Sequence, residues 1–263
     1  MRTARRLISA LVLIGVVAAL VHVYGAPQQW FGIRLDDLTQ LGDRRPAVSA
    51  STESLPAYAR EVAGKPWFAR YYTRIVFSDQ GGTGFYDGRL TKWNKRRVRI
   101  DALNNGGSGM NTYVKSLARH LNRMQSATRF AVVDGSADIT IEYLSHDEYV
   151  RAVGDDSVGN CETRFYNATP GLVEATIKVD AGVLRTPAQR KPVVIHELTH
   201  AIGFKGHFHD PRYTTRSVLY YAASITGWSR DDGAAVRIMY SSAMKNGMSP
   251  SAVRKALRRI PSE

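Results

Sequence analysis

The 263-residue sequence predicts an α+β domain, and three observations carry that prediction. Short alternating or β-branched segments recur between about residues 98 and 179. A helical repeat of apolar residues falls among them, from about Asn111 to Gln125. Beyond residue 186 the pattern turns to capped helices. One sheet with helices around and after it satisfies that order.

The elements follow in chain order. Arg2, Arg5 and Arg6 precede an apolar stretch from Leu7 to Val23, so residues 1–25 read as a signal peptide or an uncleaved membrane anchor. Either way the body of the chain lies outside the cytoplasm: secreted, periplasmic, or held to a membrane by residues 7–24. Residues 26–65 mix Pro, Ser, Ala and charge, which predicts a linker or stalk with one or two short helical turns. The packed domain is expected over 66–263. Arg74 to Phe77 reads as a short strand. Val98 to Leu103, Phe130 to Val133, Ile139 to Tyr143 and Ala175 to Val179 read as strands by alternation or β-branching. Val114, Leu117, Ala118, Leu121 and Met124 line one face of the helix between them. Thr186-Pro187 offers a helix start, with Pro192 as a second candidate, and Gly203 a stop. Ser229 caps a helix expected to run to Gly247, and Ser249-Pro250 starts the last.

Composition narrows the function classes. The apolar fraction of 44% and charged fraction of 22% are those of a globular chain. Lys and Arg outnumber Asp and Glu by 36 to 23, but no single basic run dominates, so the excess reads as a solvated surface. No motif for nucleic acid is present, and none is expected as partner. The single cysteine, Cys161, rules out an intrachain disulfide and a thiolate-rich structural zinc site; it reads as a buried, inert side chain. The runs Gly81-Gly82-Thr83-Gly84 and Gly106-Gly107-Ser108-Gly109 lack the Gly-Lys-Ser/Thr of a phosphate loop. Asn167-Ala168-Thr169 fits a glycosylation acceptor, weakened by Pro170.

One motif carries chemistry: His196-Glu197-Leu198-Thr199-His200. Histidines four apart on a helix share a face, one turn apart, and can hold one zinc ion. Glu197 points beside the metal and suits a general base acting on activated water. A catalytic zinc takes three protein ligands and keeps one position open. Gly203 lets the chain turn back, so His207 is the expected third ligand, with His209 and Asp210 as alternatives.

These residues resemble the metzincin zinc peptidases, whose signature is His-Glu-x-x-His-x-x-Gly-x-x-His followed by a methionine turn. The stretch His196 to His207 matches it with one extra residue between Gly203 and His207. Ala137-Asp138-Ile139-Thr140-Ile141 looks like the strand that enters a matrixin active site. Asp231-Asp232 with Arg237-Ile238-Met239-Tyr240 is similar to the final matrixin helix. Ser217-Val218-Leu219-Tyr220 stands in place of the methionine turn, with Leu219 where methionine would be. Met244-Lys245-Asn246-Gly247-Met248-Ser249 also resembles a bacterial secreted domain family of unassigned function, some members of which lack the histidines.

The resemblance implies a metzincin-like zincin fold: a twisted mixed sheet, an active-site helix and a helical C-terminal subdomain. It implies a zinc-dependent endopeptidase, monomeric, acting on a protein or peptide. Glu197 would activate the water, and Tyr220 or Tyr221 would donate to the developing oxyanion. The rival expectation is a zinc-bearing or empty domain that binds a peptide or cell-envelope partner without cutting it.

Overall fold

The computed structural model describes residues 55–77, 88–103, 106, 108–166, 169–222 and 224–260. The expected signal or anchor, most of the stalk, the run 81–84 and Asn167 lie outside these residues. Among the described residues no helix is long and apolar enough to cross a membrane.

The chain begins with two helices, α1 (Ala57–Ala63) and α2 (Pro66–Val76). Then come β1 (Arg97–Leu103), α3 (Ser108–Met124), β2 (Arg129–Val132), β3 (Ile139–Leu144), α4 (His146–Ala152), β4 (Gly159–Tyr166) and β5 (Thr169–Asp180). Three helices follow: α5 (Pro187–Ala201), α6 (Arg230–Met239) and α7 (Pro250–Arg259). The class is α+β, as expected.

The strands form one five-stranded sheet in the order β2-β1-β3-β5-β4. All neighbours are parallel except β4, which runs antiparallel to β5 along one edge. Ile100 pairs with Ile139, which pairs with Ala175, so apolar residues stack across the central strands. On β3, Ile139, Ile141 and Tyr143 are buried while Thr140, Glu142 and Leu144 are half-exposed. One face of the sheet is therefore packed and the other partly open. Helix α3 packs on β2, helix α5 on β4 and β5, and the two helices touch each other.

Three sequence expectations are corrected here. Arg74 to Phe77 is no strand but the end of α2. Phe68, Tyr71, Tyr72, Ile75 and Val76 are all buried at helical spacing, and that longer period overrides the local β-branched content. Helix α6 stops at Met239, well before Gly247. Its last carbonyl finds a tertiary partner, since Lys92 Nζ donates to Met239 O (2.7 Å), and the same amine holds Ser241 O just beyond the helix (3.3 Å). Packing also starts before residue 66, because Leu55, Ala59, Val62 and Ala63 belong to the core.

Two elements carry little local signal. Strand β4 is a polar edge strand stabilised by pairing with β5. Short α4 is announced only by a capping box between Ser145 and Glu148.

A candidate metal centre

Helix α5 carries the motif and is fixed at both ends. Thr186 and Gln189 form a capping box, Pro187 fills the first position, and Pro192 is accommodated inside one continuous helix. At the other end Trp93 Nε1 donates to Ala201 O (2.8 Å) and the Tyr240 hydroxyl to Ile202 O (2.9 Å). These bonds satisfy carbonyls that a helix leaves unpaired. Val194, Ile195 and Leu198 anchor the helix in the core. Thr199 accepts a bond from Trp228 Nε1 at 2.9 Å.

After the helix the backbone reverses at Gly203, whose φ is +119°. A side chain there is strained by that φ and would also run into the Thr91 carbonyl. The turn brings His207 back over the helix face. The three Nε2 atoms form a small triangle: His196–His200 3.2 Å, His200–His207 2.9 Å and His196–His207 3.0 Å. A tetrahedral ion about 2.0–2.1 Å from each nitrogen would space them by about 3.3 Å. The extra residue between Gly203 and His207 does not prevent convergence.

The other ring nitrogens settle which atoms carry protons. His196 Nδ1 lies 2.7 Å from Val218 O, and His200 Nδ1 lies 2.7 Å from Phe204 O. A carbonyl only accepts, so both Nδ1 atoms donate, and a neutral ring then presents a bare lone pair at Nε2. Burial, and second the neighbouring His207, push His196 down to about 4. Burial and both histidine neighbours hold His200 well below the usual value. Neutral imidazoles aiming lone pairs at one point repel each other unless a cation sits between them. These three are the described groups close enough together to hold a metal ion.

The remaining candidates take other positions. His209 is exposed; its ring lies 6.5 Å from that of His207 and stacks on Tyr221 at 5.3 Å. Asp210 caps the short turn Pro211–Tyr213 and pairs with Arg212 at 2.6 Å. His207 is thus the third member. Tyr220 is largely buried and its backbone bridges Phe208, whereas Tyr221 is 57% exposed. Neither hydroxyl has a hydrogen-bond partner among the described residues. Cys161 lies on β4 against the core, outside the triad. Its burial, then the charges of Glu197 and Glu162, push its thiol well above the usual value.

Glu197 follows His196 on α5 and is buried, with the edge strand close against it. A Cβ on Gly159 of the edge strand would lie 2.7 Å from Glu197 Oε1, so the strand comes this close only because the residue is glycine. Burial pushes the Glu197 carboxyl up to about 8.

Sequence reasoning missed the groups that hold the ligands. Asp232, at the start of α6, accepts from Val218 N (3.1 Å), Ser229 N (3.0 Å), the Ser217 hydroxyl (2.8 Å) and the Tyr71 hydroxyl (2.5 Å). Burial raises its carboxyl pKa against the pull of those four bonds. Asp231-Asp232 was visible as the first turn of a helix and as a matrixin-like feature, but nothing local marked Tyr71. Leu219 is fully buried in the turn under His196, and its amide donates to Ser217 Oγ at 3.1 Å.

No curated protein matches the chain. A family model described as "Protein of unknown function (DUF2927)" matches residues 67–259, from helix α2 to the end of α7. That span holds the whole sheet, the three histidines and Glu197, and the chain belongs to the DUF2927 family.

Proposed function

We propose that this chain is a zinc-dependent endopeptidase that acts outside the cytoplasm, with a metzincin-like fold. The observation that carries the reading is the convergence of three Nε2 atoms, two of them left with bare lone pairs by carbonyls behind the rings. Three imidazoles with an open fourth position are the ligand set of a catalytic zinc. The sheet order supports the fold, as does its one antiparallel edge strand beside the motif helix. So does the buried turn at Ser217 to Tyr220 beneath His196.

Bound there, zinc would acidify a water molecule and polarise a scissile carbonyl. The chain's own residues do the rest. His196, His200 and His207 hold the ion. Burial alone keeps the Glu197 carboxyl protonated at neutral pH, but a cation on the adjacent histidines would favour its carboxylate, which would then take the proton from the water and pass it to the leaving amine. The outer edge of β4 offers backbone N–H and C=O groups to an extended peptide, which positions the bond to be cut. Tyr221, exposed next to His209, is better placed than Tyr220 to meet that peptide.

Zinc content of the purified protein tests the metal, wild type against His200→Ala. One equivalent in the wild type and none in the variant is expected, and equal content sinks the reading. Glu197→Gln tests the chemistry. It should retain zinc and lose peptide hydrolysis by several orders of magnitude. Undiminished hydrolysis would refute the assigned base. Zinc with no hydrolysis in either protein favours the non-cutting binding domain.

A further inference from the structure

Helix α2 lies far from the motif in sequence and precedes the sheet, yet its C-terminal end meets the loop that carries His207. Lys205 N and Gly206 N both donate to Ile75 O, at 2.7 and 3.1 Å. Arg74 Nε donates to His207 O at 3.0 Å. Gly206 abuts the Arg74 carbonyl so closely that a Cβ would collide with it, and would lie 2.8 Å from Phe77 O. The loop with its extra residue is thus taken up against the end of a helix, where two of its amides satisfy the Ile75 carbonyl.

Tyr71 joins this contact to the other side of the centre. Its ring stacks on Phe208, the residue after His207, with centroids 5.0 Å apart. Its hydroxyl donates to Asp232 Oδ1 and lies 3.3 Å from Ser217 Oγ. Asp232 holds the Val218 amide, and the Val218 carbonyl orients His196. One fully buried side chain therefore touches both the loop that supplies the third ligand and the network that sets the first.

We propose that Tyr71 is a positioning residue of the metal centre, and that α2 is a permanent brace for it. The proposal rests on the metal reading above. Groups behind metal ligands commonly change affinity about 10–100-fold when removed, because they fix ring orientation. Tyr71 acts one step further out, but on two ligands together. Removing α2 would unload the centre; it would not uncover it.

The test uses the full-length chain with zinc as probe, measured by competition against a chromophoric chelator. Visible spectra of the cobalt-substituted protein report ligand geometry. Tyr71→Phe keeps the stack on Phe208 and loses the bond to Asp232; a severalfold weaker zinc affinity is expected. Tyr71→Leu loses both, and a loss of about 10–100-fold with an altered cobalt spectrum is expected. Ile100→Ala, in the central sheet away from α2, serves as the control for instability alone.

Wild-type affinity and spectrum in folded Tyr71→Leu would overturn the proposal. So would an affinity loss that Ile100→Ala reproduces at the same melting temperature. If Tyr71→Leu does not fold, unchanged affinity and spectrum in Tyr71→Phe overturn it. Failure of the metal reading looks different: wild type and His200→Ala would then take up zinc equally, and both ideas fall.

Discussion

Asp232 and His196 are joined through a single residue, Val218, whose amide donates to Asp232 Oδ2 and whose carbonyl accepts from His196 Nδ1. The carboxylate at the head of α6 therefore sets the direction of an imidazole on α5 without touching it. Asp232→Asn keeps the volume but removes the charge, and its amide N–H₂ can be placed only toward the Tyr71 and Ser217 hydroxyls, which must then turn from donors to acceptors. Zinc affinity should fall about tenfold or more, and a chelator competition assay reads it. Breaking a buried charged network also costs stability, about 2–4 kcal/mol by denaturant titration. Wild-type zinc affinity in the folded variant would mean that the turn holds itself.

Metal removal should destabilise the protein. An ion bound only by the folded state stabilises it by RT ln(1 + [L]/Kd), about 4 kcal/mol at a thousandfold excess over Kd. Chelator should therefore lower the wild-type melting temperature, and added zinc should restore it. His200→Ala should melt at one temperature with or without zinc. An unmoved wild-type transition would argue against a structural contribution from the ion.

How much of this was legible in the sequence depends on where each signal resides. His196, Glu197 and His200 could be read because a helix turns a spacing of four directly into shared direction. Strands β1, β2, β3 and β5 were readable by alternation or β-branching, though β4 was not, and Thr186, Ser229 and Ser249 by cap chemistry. Arg74 to Phe77 misled because four residues are too short to show a period that five buried positions of α2 make plain. Gly247 misled because α6 ends on tertiary bonds from Lys92, which no local pattern encodes. His207 stayed open against His209 and Asp210 because a glycine bend does not say how far the chain returns. The carbonyls of Val218 and Phe204, and the side chain of Tyr71, were invisible: backbone acceptors have no residue signature, and Tyr71 acts across long sequence separations.

Lys92 gives a pH prediction away from the metal. Burial lowers its amine from 10.5 to about 8, while its two carbonyl partners favour the charged form. Between pH 8 and about 10.5 the unfolded chain holds the proton more firmly than the folded one, so this residue makes stability rise with pH there. Below 8 both states are charged and the full penalty applies. Tyr71, Tyr72 and Cys161 act oppositely at high pH, because their raised values let the folded state keep protons that the unfolded chain loses. The contribution should therefore be read as the difference between wild type and Lys92→Met. That difference should grow in favour of wild type by about 1–2 kcal/mol from pH 8 to 9.5 in denaturant melts. Parallel stability curves would show that Lys92 titrates as it does in water.

Gly203→Ala separates backbone geometry from ligand chemistry. No ligand atom is removed, but alanine at a φ of +119° is strained by about 1–2 kcal/mol, and its Cβ would press on the Thr91 carbonyl. The loop can relieve both only by moving, and His207 lies four residues along it. Loss of stability should therefore come with loss of zinc affinity, and cobalt spectra should show an altered ligand set. A neighbour in the same turn, Lys205, provides the comparison: its side chain donates to Arg89 O and its amide to Ile75 O, and alanine there keeps the backbone bond. Lys205→Ala should leave affinity within about twofold, as expected for a surface substitution. If Gly203→Ala binds zinc as Lys205→Ala does, the bend at Gly203 does not place the third ligand.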